Sequence, residues 1–115
     1  MSDKTVPRPV LAWERFKDWL SAAVHLSHHQ LHVGVGLLLF VAFARLLRRS
    51  VRSVVPLLAV AVLEALNEVS DFARYYFSGW PWTAHETVID VELTLGPPLA
   101  LLVVARAVRA VRKLG

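Results

Sequence analysis

The 115-residue chain contains no cysteine, which excludes disulfide scaffolds, thiol catalysis and cysteine-ligated zinc. Its five glycines form no phosphate-cradling loop. Ser27, Ser70 and Ser78 lack the strand-turn-helix setting of a nucleophile elbow. The Glu-x-x-His pairs of di-iron bundles are missing as well. No internal repeat, low-complexity tract or linker divides the chain, so one domain is expected. No small-residue cleavage site follows the N-terminal charges, and no signal peptide is expected. An unbroken apolar run of span length is also lacking, since the strict runs reach only about 10 to 14 residues where a bilayer needs about 20.

The chain is nevertheless rich in apolar residues. Hydrophobic types make up 56% of it, and the mean hydropathy is +0.49, above what a soluble domain of this size usually carries. A net charge of +4 invites a nucleic-acid reading, but the positions of the basic residues oppose it. Arg45, Arg48, Arg49 and Arg52 form one cluster and Arg106, Arg109, Arg112 and Lys113 another. Each follows an apolar run, and neither has the aromatic interleaving of a single-strand binder. They read as topology signals, and the expected partner is a lipid bilayer, with no nucleic acid.

Helical periodicity divides the chain further. Residues 1–9, with Pro7 and Pro9, are expected to be extended or disordered. Between Val10 and Val24 the residues Trp13, Phe16, Leu20 and Val24 recur at helical spacing among Glu14, Arg15, Lys17 and Asp18. That is an amphipathic helix, lying on the bilayer or packing its apolar stripe on the bundle. It either lies flat or continues straight into the next element. Three spans follow at about 24–47, 54–76 and 84–111. Ser53 is the expected N-cap of the second, with Pro56 in its first turn, and Thr83 with Glu86 forms a capping box for the third. Gly96-Pro97-Pro98 is expected to kink that last helix. The fold class is therefore all-α, a membrane bundle of three transmembrane helices behind an N-terminal amphipathic helix, forming one domain over residues 10–115.

Basic clusters on the cytoplasmic side orient the bundle in the membrane with its N-terminus outside and its C-terminus inside. Glu64, Glu68, Asp71, Glu86, Asp90 and Glu92 then lie toward the outer side. Tyr75, Tyr76, Trp80 and Trp82 form an aromatic belt there.

One pattern occurs twice. His25, His28, His29 and His32, then Glu64, Asn67, Glu68 and Asp71, both follow i, i+3, i+4, i+7, which places four polar side chains on one helix face. The apolar halves point opposite ways along the chain, so antiparallel packing brings histidines to carboxylates. Ionisable groups in a span are costly, about 2.5 to 3.5 kcal/mol each on insertion scales, and must pair, reach water or bind something. Glu64 is the deepest. The expected polar or ligand-binding centre comprises His28, His32, Glu64, Asn67, Glu68, Asp71, Asp90 and Thr94. His28, His32 and Glu64 are the candidate ligands of a divalent metal such as zinc, which with an open position would make Glu68 or Asp90 a general base. Asp71 and Arg74, three residues apart, are expected to form a salt bridge. Glu86 is read as a cap. Glu92 points elsewhere, toward another subunit or the headgroups.

The segment from His32 to Pro97 resembles the VanZ-like membrane proteins. The residues that carry the resemblance are His32 followed by Gly34 and Gly36, Glu64-x-x-Asn67, and Asp90-x-x-x-Thr94-x-x-Pro97, with Arg74 in the place of the family's arginine. Asn67 stands where that family has glutamine, Thr94 where it has asparagine and Pro97 where it has glycine. The resemblance implies a role in the bacterial cell envelope, a field that includes glycopeptide resistance, and groups His32, Glu64 and Asp90 as one centre.

Three functions fit these residues. The first is an outward-facing binding protein for a polar envelope ligand, a lipid headgroup, a glycopeptide-like ligand or an ion. The second is an accessory subunit of a larger membrane complex or homo-oligomer. The third is a metal-dependent hydrolase or transferase acting on a lipid-linked substrate. In each the centre is expected to titrate as a coupled group.

Overall fold

The computed structural model describes residues 2–114. Among them there is no strand: a short 3-10 turn at Asp3–Thr5 precedes α1 (Arg8–Val24), α2 (His28–Leu46), α3 (Val54–Ser78) and α4 (Ala84–Leu114). The ends of these helices follow from local chemistry. Ser53 Oγ accepts from the Val55 backbone N–H at 3.2 Å, and Thr83 Oγ1 accepts from that of Glu86 at 3.4 Å. Ser27 and Gln30 form a reciprocal capping box at the start of α2. At the end of α3, Gly79 has φ +77°, a left-handed conformation that glycine adopts without penalty.

The bundle interior is built from residues four apart. α2 buries Gly36, Phe40 and Ala44; α3 buries Pro56, Val60, Glu64 and Glu68; α4 buries Thr94, Pro98 and Leu102. This spacing keeps each stripe on one helix face. Phe40, Val60 and Leu102 form the apolar centre, while His32, Glu64 and Thr94 meet further along. α2 and α4 therefore run parallel to each other and antiparallel to α3. At Gly36 the two parallel helices touch backbone to backbone: an added Cβ would overlap the Thr94 carbonyl.

One end of this interior is apolar and the other is polar. Arg106 Nε donates to the Arg52 carbonyl at 2.8 Å, so both arginine clusters lie beyond the apolar end. Two helices, α2 and α4, are long and apolar enough to cross a membrane. α3 carries Glu64, Glu68 and Asp71 on one face, and its opposite face shows Leu58, Val62, Leu66 and Val69, each about 60% or more exposed. α4, with 31 residues, extends about 46 Å at 1.5 Å per residue, and its exposed last turns carry the second arginine cluster beyond the bundle.

Three expectations are corrected. The helix does not run unbroken through the histidines, because His25 caps α1 in a left-handed conformation, φ 56°, and the Ser27 cap starts a new helix. The first candidate span is accordingly His28–Leu46 rather than about 24–47. Residues 2–6 are docked rather than extended or disordered: the Ser2 N–H donates to the Ser78 carbonyl at 3.0 Å, Thr5 Oγ1 to the Phe77 carbonyl, and Val6 is buried. Finally, of the two settings expected for α1, packing of its apolar stripe on the bundle is not found: α1 turns its polar face to the bundle and its apolar face outward, with Trp13, Phe16 and Trp19 all exposed and Glu14 buried. In water that orientation is unfavourable.

Candidate functional site

His32, Thr94 and Glu64 form a hydrogen-bonded chain linking three helices. His32 Nδ1 lies 2.7 Å from Thr94 Oγ1, whose hydroxyl donates to Glu64 Oε2 at 3.1 Å. Because the threonine proton goes to the carboxylate, the imidazole must donate from Nδ1, which leaves the Nε2 lone pair free. Nε2 faces Asp90 Oδ1 at 3.6 Å. Glu64 and Glu68 are 6% and 8% exposed, and Oε1 of each is buried with no partner. His32, Glu64 and Glu68 each bring one ligand atom within 4.8 Å of the other two, and Glu68 does the same with Asp71 and Asp90.

The other histidines of the pattern are not part of the His32, Glu64 and Glu68 cluster, although His29 forms one with Glu86 and Asp90. Half-exposed His28 faces Asp18 at 3.4 Å and His29 faces Glu86 at 3.6 Å. His25 serves as a helix cap. Of the three metal ligands expected from spacing, His32 and Glu64 are together, Glu68 joins them, and His28 does not. Asn67 is turned to α1, where its Oδ1 accepts from Trp13 Nε1 at 2.9 Å and Lys17 Nζ at 2.8 Å.

The expected Asp71–Arg74 pair does not form, because both residues are taken by the N-terminal segment. Asp71 pairs with Lys17. Arg74 bonds Asp3 Oδ2 and Asp18 Oδ2, both at 3.0 Å. The Arg74 hydrogen bonds hold the Asp3 carboxyl below its usual range. Lys17 also contacts Glu14 at 2.7 Å, and Ser70 Oγ donates to Glu14 at 3.0 Å. Burial, then the neighbouring Asp71, pushes the Glu14 carboxyl up to about 7. For Lys17, burial disfavours the ammonium, but Asp71 and Glu14 outweigh it and its pKa is raised. Two carboxylates around one ammonium leave an uncompensated negative charge that one proton removes.

Two cavities meet at this centre. One, of about 620 Å³, is a mainly apolar groove between α1, α2 and α3, lined by Phe16, Leu20, Leu31, Val35, Leu63 and Leu66 among others. The second, of about 360 Å³, is a polar vestibule bounded by Asp18, Glu68, Asp71, Arg74, Glu86 and Asp90 under the rim of Trp80 and Trp82. Lys17, His28 and His32 line both. An amphiphile can place its polar part in the vestibule and its apolar part in the groove.

The contribution of α1 does not follow from the two four-residue sets. Glu14, Lys17, Asp18 and Ser21 follow the same i, i+3, i+4, i+7 spacing as the two four-residue sets, so the signal was present in a third copy. No protein-family model, curated protein or solved structure matches the chain.

Proposed function

We propose that the chain is a three-span protein of the bacterial inner membrane, its N-terminus outside, which binds an amphiphilic lipid through the vestibule and groove. The observation that carries this reading is the junction of an apolar and a polar cavity at Lys17, His28 and His32. A site of this kind orients a ligand by its few polar groups and holds it by apolar contact.

Several features support a bilayer setting. Large apolar side chains cover the outside of all four helices while Glu14, Glu64 and Glu68 are buried, the reverse of a soluble fold. In hydrocarbon α3 joins α2 and α4 as a span, its acids turned inward and its leucines and valines outward. Both arginine clusters take the cytoplasmic side. A VanZ-like affiliation belongs to the same proposal, carried by His32, Glu64 and Asp90.

The vestibule favours one headgroup chemistry. Glu14, Asp18, Glu68, Asp71, Glu86 and Asp90 line it against Lys17 and Arg74, and both cations are already paired. An ammonium-bearing head is therefore favoured over a bare phosphate. Native mass spectrometry of protein released from bilayers of mixed phosphatidylethanolamine and phosphatidylglycerol tests this. Retention of phosphatidylethanolamine is expected, lost in Leu63→Trp, which fills the groove. Preferential retention of phosphatidylglycerol, or equal retention by the variant, would overturn the reading.

A further inference from the structure

We infer that His32, Glu64 and Glu68 form a site for one divalent cation of the zinc type. Two carboxylates one turn apart on α3 are more than nine-tenths buried. Each has an oxygen without a hydrogen-bond partner, and an imidazole from α2 brings a third ligand atom within 4.8 Å of theirs. An unpaired buried carboxylate oxygen carries a desolvation penalty. A doubly charged cation offsets it for both residues at once. Among these three ligands the charges cancel: two carboxylates contribute −2, the neutral imidazole 0 and the cation +2.

The donor set selects the ion. One nitrogen and two carboxylates suit zinc, whereas magnesium and calcium prefer oxygen alone. The Thr94 hydroxyl at Nδ1 holds the imidazole in place, as hydrogen-bond partners of metal-bound histidines do, and leaves Nε2, which faces Asp90 at 3.6 Å, as the nitrogen with a free lone pair. Three protein ligands leave a fourth tetrahedral position open, and His32 and Glu68 both border the vestibule. A water can occupy it.

This site shares a centre with the lipid reading but does not rest on it, and the test separates them. The full chain is purified in one synthetic detergent without lipid, stripped with chelator and titrated with zinc chloride by calorimetry. One zinc per chain is expected. Glu68→Gln and His32→Ala should each weaken binding at least tenfold, with helicity unchanged by circular dichroism, and His28→Ala should leave it within twofold. Magnesium at the same concentration should not compete. The inference is overturned if no saturable zinc binding occurs, as when the two acids share a proton instead, or if Glu68→Gln binds as the parent does. Lipid retention, measured separately, reports on the amphiphile alone.

Discussion

Replacing Thr94 by valine removes one hydroxyl and leaves the shape of the side chain nearly unchanged. The hydroxyl accepts from His32 at 2.7 Å and donates to Glu64 at 3.1 Å, so two interhelical hydrogen bonds are lost together. Such bonds in membrane bundles measure about 0.6 kcal/mol on average and about 1.7 at most. Thr94 is 4% exposed, so water cannot replace the lost partner, and the upper part of the range applies. The expected destabilisation is about 2 to 3 kcal/mol, the sum of two bonds near the measured maximum. Thr94→Ser keeps the hydroxyl and loses one methyl, a change of about 1 kcal/mol. Reversible unfolding in mixed micelles, followed by intrinsic tryptophan fluorescence, separates the two variants. If Thr94→Val is within about 0.5 kcal/mol of the parent, the limit within which independent effects are resolved, the three-helix link is refuted. Equal effects of valine and serine would assign the loss to packing.

Gly36→Ala forces α2 from the Thr94 backbone, which no side-chain rotation relieves. About 3 kcal/mol is expected, at the upper end for overpacking, whereas Gly34→Ala, with open space at its Cβ, should stay within about 0.5 kcal/mol in the same assay. The pH profile is set by Glu14. Its folded value of about 7 lies above the ordinary 4.5, so protonation favours the docked state. That contribution is full below pH 4.5, falls as pH rises through about 7, and amounts to roughly 2 to 3 kcal/mol. Protection of α1 from hydrogen exchange should decrease between pH 5 and 8, and Glu14→Gln should flatten the change. Protection rising over that interval would contradict the burial of Glu14 against Asp71.

Much of the polar centre was legible because helical spacing is a local property. Ser53 and Thr83 mark helix starts by their capping chemistry, and the spacing of Glu64, Asn67, Glu68 and Asp71 put these groups on one side of α3. Spacing could not assign partners. The Asp71–Arg74 pairing fails because Lys17 and Arg74 come from opposite sides of the α1–α3 contact, which exists only in the folded bundle. The break at His25 was hidden by a run of polar residues with helical spacing, although Ser27-x-x-Gln30 is a capping box. The apolar stripe of α1 was legible, but the direction it faces depends on the solvent. In lipid the polar stripe turns inward.

The inward-turned polar stripe of α1 has a consequence for the order of assembly. Its partners, Asn67, Ser70, Asp71 and Arg74, are synthesised about fifty residues later. When α1 leaves the ribosome, Glu14 and Lys17 have only each other, and the rest of the polar stripe stays solvated until α3 has been made. Docking of the N-terminal segment is thus a late event in biogenesis. It closes the groove only after the other three helices are in place.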